Sequence, residues 1–156
     1  MYKKILVALE NGRADETLLP HIAELAKLLG SELLLVHVAD GWAARNFKQL
    51  NLAESEEMRA DRAYLADTCH QLQRLGIAVS SELALGNPPT EIVRTAQAHH
   101  CDLIAMTSHG HKLVGDLLLG STIDKVRHNT AVPLLVVRAA AVAPIRADVA
   151  AAAVKH

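Results

Sequence analysis

The chain has 156 residues, a formal net charge of -1, 51% hydrophobic residues and only 3% aromatics. That length suits one domain with an aliphatic core, large enough to need neither metal nor disulfide for stability. Lys and Arg are not clustered, which excludes a broad nucleic-acid footprint; four aromatics (Tyr2, Trp42, Phe47 and Tyr64) are too few for a base-stacking platform, and no apolar run is long enough to span a bilayer.

The elements follow in order. KILVAL at 4–9 is a continuous apolar, β-rich run, the pattern of a strand buried on both faces of a parallel sheet. Its apolar stretch is also too short for the core of a signal peptide, so the expected location is the cytoplasm. Glu10-Asn11-Gly12 breaks the run and makes a loop. Leu18, Ile22, Leu25 and Leu29 then recur at helical spacing, from a start near 15–17, with Pro20 expected in the first turn and Gly30 as the stop. ELLLVHV at 32–38 is a second buried strand. Residues 39–51 show no clear period and predict a loop or partial helix. A long helix is predicted over 52–75, with Leu65, Cys69 and Leu72 inward and a charged start (Glu54, Glu56, Glu57, Arg59, Asp61, Arg62) read as a solvated face. The two cysteines, Cys69 and Cys101, have no CxxC partner and read as reduced, buried thiols.

Residues 77–85 alternate more than the first two strands, which predicts a strand nearer the sheet edge, ended by Gly86. Asn87-Pro88 then opens a helix as N-cap and first residue, with Ile92, Val93 and Ala96 inward. DLIAM at 102–106 is the next strand, and Asp102 at its head reads as structural. A loop with Ser108-His109-Gly110 follows, then a short helix, then Gly120-Ser121 opening a further helix, then PLLVV at 133–137 as the last strand. Residues 139–156 form an Ala- and Val-rich tail, expected to be frayed and separate from a single domain at 1–138. The β-α alternation predicts an α/β fold: a doubly wound, Rossmann-like domain with a five-stranded parallel sheet, helices on both faces and right-handed crossovers. Ligands in such sheets bind outside the strand carboxyl ends where strand order reverses, so the loops after the first and fourth strands are the candidates.

Gly110, Gly120 and Ser121 bear on anion binding, because glycine allows close backbone approach, serine adds a hydroxyl donor and a helix start offers unpaired amides. The competing reading is a turn glycine and an ordinary N-cap, and spacing alone favours it. Neither a Walker A loop nor GxGxxG is present.

MYKKILVALE at the start and MTSHGHKLVGDLLLGSTIDKVRHNTAVPLLVV near the end resemble the universal stress protein (UspA) superfamily, over residues 1 to about 138. The second stretch is similar to the G-x2-G-x9-G-[ST] signature of that family's ATP-binding members: Gly110, nine intervening residues, Gly120 and Ser121 are in place. The resemblance implies a HUP-type fold and an adenine nucleotide, ATP (with Mg2+ as an option) or another such as AMP or cAMP. It implies Gly110, Gly120, Ser121 and Thr122 around phosphates and ribose, Ala8 and Glu10 in the first-strand loop, Val38 meeting adenine through its backbone, and Met106 as an apolar contact. Two positions depart from the family pattern: Thr107 stands at the first signature glycine, and Glu10 where an aspartate is usual. Thr107 loses glycine's backbone freedom and keeps a hydroxyl donor.

His109 and His111 flank Gly110 without further ligands at metal spacing, so no metal site is expected. No nucleophile elbow frames Ser108, His109 and Asp116, and no catalytic residue is assigned; slow ATP hydrolysis is the most that the resemblance implies, with Glu10 the one nearby carboxylate. Two functions stand side by side: a nucleotide-responsive stress regulator, and a protein of the same fold whose pocket Thr107 occludes and which acts through protein–protein contacts. Family resemblance implies dimers, and the apolar last strand (Leu134, Leu135, Val136, Val137) is the expected homodimer edge. Neither nucleic acid nor membrane is an expected partner.

Overall fold

The computed structural model of the chain describes residues 1–40, 55–109 and 116–139. Among these residues five strands and four helices alternate: β1 (Lys4–Leu9), α1 (Ala14–Leu29), β2 (Glu32–Ala39), α2 (Glu56–Arg74), β3 (Val79–Leu85), α3 (Pro88–Ala98), β4 (Leu103–Ser108), α4 (Asp116–Asn129) and β5 (Leu134–Arg138). The sheet is parallel throughout, in the order β3-β2-β1-β4-β5. The doubly wound α/β fold expected from the alternation is therefore present.

Side-chain alternation divides the core in two. Ile5, Val7, Leu33 and Leu35 pack under α1 and α2, together with Leu18, Ile22, Leu65 and Leu72. Leu6, Leu34, Val36, Ile104 and Met106 pack on the opposite face against α3 and α4, with Ile92, Ala96 and Val126. β1, β2 and β4 are covered on both sides, which is why they read as unbroken apolar runs. β3, at one edge, is partly exposed along most of its length, as its alternating sequence predicted.

Local signals set most boundaries. Gly30 closes α1 at a φ of 67°, a left-handed cap that glycine adopts without strain. Asn87 caps α3 through its side chain, with Pro88 next. Three expectations shift. Pro20 lies in the second turn of α1, on an exposed face, rather than in the first. α2 begins at Glu56 because the Ser55 side chain accepts from the Met58 N–H as N-cap. α4 begins at Asp116 and runs unbroken through Gly120 and Ser121. Those two residues do not open a helix; the leucine run before them favours helix strongly enough to absorb a glycine cost of about 1 kcal/mol. The expectations for residues 41–54, for Gly110 and for the tail from 140 lie outside the described residues.

At the amino end of the sheet, Asp102 pins β4 to β1. Its carboxylate accepts from the backbone N–H of Lys3 at 2.9 Å and of Lys4 at 3.0 Å. Desolvation works against the charged form, but these donors and the positive amino terminus outweigh it, and the Asp102 pKa is lowered. A lowered carboxyl pKa contributes stability that is complete above the unfolded-state value and is lost as pH falls through the folded value. Asp102→Asn is therefore expected to lower stability at neutral pH and to flatten the loss of stability on acidification below about pH 4. Urea unfolding of both proteins across that range checks it; parallel acid limbs would contradict it.

Candidate functional site

The site arises where strand pairing stops. The ladder between β1 and β2 extends along all of β1, from Lys4↔Glu32 to Leu9↔His37. The ladder between β1 and β4 ends at Val7↔Ala105, whereas β4 continues against β5 through Met106↔Val136 and Thr107↔Val137. Beyond Val7 the two central strands part. The helices following β1 and β2 cover one face and those following β3 and β4 the other, so the parting coincides with the reversal of strand order.

A cavity of about 360 Å³ fills this crevice on the α3–α4 side. Ala8, Val36, Val38, Ile92, Met106 and Ile123 give it apolar walls. Glu10, His37, Asp40, Asn87, Thr107, Thr122 and Lys125 supply polar groups around them. Of the residues singled out from the sequence, Ala8, Glu10, Val38, Met106, Thr107 and Thr122 all border this one cavity, although 114 positions separate the first from the last. Val38 lies one residue past the end of the β1–β2 ladder and still pairs with Ala84 of β3. Gly110 lies outside the described residues. Gly120 and Ser121 lie on the α4 backbone in its second turn, so their amides are not the unpaired ones of a helix start.

Thr107 is 3% exposed and extended within β4, without the positive φ that would call for glycine. A β-branched residue suits that backbone. Strand alternation groups it with Leu103 and Ala105, opposite Met106, and its hydroxyl lies 3.5 Å from Glu10 Oε1. The other carboxylate oxygen, Glu10 Oε2, is 2.8 Å from His109 Nε2. Facing a carboxylate, that nitrogen is the one carrying the proton. Glu10 and His109 thus bridge the loop after β1 to the end of β4 where no backbone ladder does.

A second layer holds the Glu10 loop from behind. Asp15, 1% exposed, accepts from the backbone N–H of Glu10 at 3.0 Å and of Asn11 at 2.9 Å, and from the Tyr64 hydroxyl. Burial, then the Asp15 carboxylate, raises the Tyr64 pKa and keeps the phenol a donor. Asn11, at a φ of 57°, donates from Nδ2 to Asp61 at 2.9 Å. Asp61 is also 3.5 Å from His37 Nε2, and His37 Nδ1 donates to the Leu9 carbonyl at 2.8 Å. Asp61 is 5% exposed, so its assignment to a solvated face is corrected. The signal was in the spacing: Met58, Asp61, Leu65 and Leu72 fall on one helical stripe, as Asp15 does with Leu18 and Ile22.

Elsewhere, burial pushes the Cys101 thiol up to about 11, and both cysteines are buried and unpaired. Among the described residues no group of three or more His, Cys, Asp or Glu could hold a metal ion, and no helix is long and apolar enough to cross a membrane.

Asp15→Asn replaces one of the acceptors of three donors with an amide NH2 and is expected to cost about 1–3 kcal/mol. Tyr64→Phe removes one donor and costs about 1 kcal/mol. Chemical denaturation measures both; an Asp15→Asn cost no larger than that of Tyr64→Phe would mean that the loop is held by other contacts.

The universal stress protein family profile matches residues 1–138. Universal stress protein MJ0577 of Methanocaldococcus jannaschii is 29% identical, over 88% of this chain and 96% of its own. Universal stress protein Sll1388 of Synechocystis is 26% identical, over 88% and 98%. Among solved structures, that of MJ0577 superposes with a TM-score of 0.75 at 28% identity, covering 90% of this chain and 99% of its own. A universal stress protein in complex with cAMP gives 0.66 at 15% identity, covering 89% and 98%. One from Archaeoglobus fulgidus in complex with dAMP gives 0.64 at 20%, covering 86% and 97%.

Proposed function

Since this chain belongs to the universal stress protein family, we propose that it binds an adenine nucleotide in the crevice between β1 and β4 and acts as a nucleotide-responsive stress regulator. The observation that carries this reading is the cavity itself. Its volume of about 360 Å³, apolar walls and polar rim suit a flat base with a polar tail. Relatives of the same fold have been solved with cAMP and with dAMP. In this reading the base lies against Ala8, Val36 and Met106, with the half-buried Val38, beyond the β1–β2 ladder, along its edge. Glu10 and Thr122 flank the sugar. The phosphates extend toward Gly110 and toward Gly120 and Ser121 in the second turn of α4. ATP, with Mg2+ on its phosphates, is the fullest ligand that this arrangement would take. The domain proposed for this role is residues 1–138, with 139–156 as a separate tail, and the location is the cytoplasm.

Occlusion by Thr107 is the less favoured alternative. Thr107 borders the cavity, but its strand face is opposite that of Met106 and its hydroxyl is directed at Glu10. Thermal unfolding with and without millimolar AMP, cAMP, ATP and Mg-ATP tests the main reading. Each nucleotide that binds raises Tm in a concentration-dependent way; no shift with any of them overturns it. Thr107→Gly is expected to lower Tm without improving nucleotide affinity, since glycine loses β-strand preference and a buried hydroxyl. A gain of binding in that variant would restore the occlusion reading.

The same proposal includes a homodimer through β5. That strand is at the sheet edge, and Val136 is 42% exposed on it. An apolar edge invites pairing with a second chain, and a charge on it prevents pairing. Sedimentation at micromolar concentration is expected to give a dimer for the parent and a monomer for Val136→Lys; a monomeric parent removes this part of the proposal.

A further inference from the structure

We infer that His109 is the positioning residue that makes Glu10 an acceptor for the 2′-hydroxyl of the sugar, and so makes the site prefer ribo- over 2′-deoxyribonucleotides. This rests on the nucleotide reading above. Glu10 is held at both ends: its backbone N–H donates to Asp15 Oδ1 at 3.0 Å, and its carboxylate Oε2 accepts from His109 Nε2 at 2.8 Å. What remains is Oε1, which among the described residues has only the long 3.5 Å contact from the Thr107 hydroxyl. A carboxylate oxygen accepts more than one hydrogen bond, so Oε1 keeps capacity for a donor from a ligand.

Charge decides which part of the ligand that donor belongs to. A carboxylate repels phosphate, and the base lies against apolar walls. The adenine amino group goes with the base, so the uncharged hydroxyls of the sugar are the donors that lie between base and phosphate. The Glu10–His109 pair is more than a quarter exposed on each side, at 27% and 28%. An ion pair so placed contributes little to stability. Its consequence is conformational: it removes the rotamer freedom of a long side chain before the ligand arrives, which strengthens every bond that the ordered group then makes. A neutral His109 does the same through its Nε2–H tautomer, so the effect does not depend on its charge.

The test is calorimetric titration of the full chain with AMP and with 2′-deoxy-AMP, for the parent and for H109L, H109Q and H109N. The parent is expected to prefer AMP by about tenfold, the size of one hydrogen bond to a charged acceptor. H109L should weaken AMP by about three- to tenfold and leave 2′-deoxy-AMP within about twofold, so that the preference collapses. H109Q, whose amide NH2 reaches as far as Nε2, keeps the preference. H109N stops short of Glu10 and loses it, which keeps the test intact even if H109L does not fold. Equal weakening of both nucleotides, or loss of the preference in H109Q as well, overturns the positioning role and leaves the nucleotide reading standing. A parent protein that binds neither nucleotide overturns both.

Discussion

The early end of the β1–β4 ladder is the constraint on which the rest depends. β1 is paired along its whole length on one side and over three residues on the other. At the amino end, Asp102 draws the same two strands together through two backbone N–H groups. At the carboxyl end no equivalent clamp is found among the described residues, and the strands separate into the crevice. The sheet is thus closed where it needs only stability and open where strand order reverses. A crevice of this kind is a property of the winding, since helices on opposite faces cannot both cover the gap between β1 and β4.

An open gap leaves the loop after β1 without a ladder partner, and polar side chains take over. Asp15 satisfies two consecutive N–H groups of that loop from inside α1, and Tyr64 reaches it from α2. Asp61 and His37 extend the same set of contacts to the ends of β1 and β2. Two nearly buried carboxylates are expensive to desolvate, so each must be well satisfied by donors. The consequence is that loop and cavity wall are positioned from the opposite face of the sheet, through groups that do not touch the cavity except at His37.

Much of this was legible in the sequence because it depends on local pattern. Unbroken apolar runs marked β1, β2 and β4 as covered on both faces, and Asn87-Pro88 and Gly30 marked helix ends. Winding order pointed to the loops after the first and fourth strands, the family resemblance singled out Val38 and Met106, and both border one cavity with Glu10. What was not legible lay where a local rule had a tertiary exception. Gly120-Ser121 has the composition of a helix start, but the preceding leucines carry α4 through it. Asp61 sits among charged neighbours, but its position on the apolar stripe decides its burial. Charge type gave the wrong answer there and periodicity the right one. No pattern in the sequence signals the pairing of Glu10 with His109, since 99 positions separate them.

That pairing also shows how Glu10 and Thr107, the two departures named in the sequence analysis, fit together. At the β1–β4 gap, a glutamate reaches one methylene further across than an aspartate would. Its carboxylate meets His109 on the far side, and Thr107 offers a hydroxyl, which a glycine could not, toward the other oxygen. Neither replacement needs unusual backbone: Thr107 is extended, and the strain of the turn falls on Asn11, which tolerates a left-handed conformation. The longer acid and the added hydroxyl therefore act as one change, a side-chain bridge over the gap that the backbone leaves open. An aspartate at position 10 and a glycine at position 107 would lack both that reach and that hydroxyl.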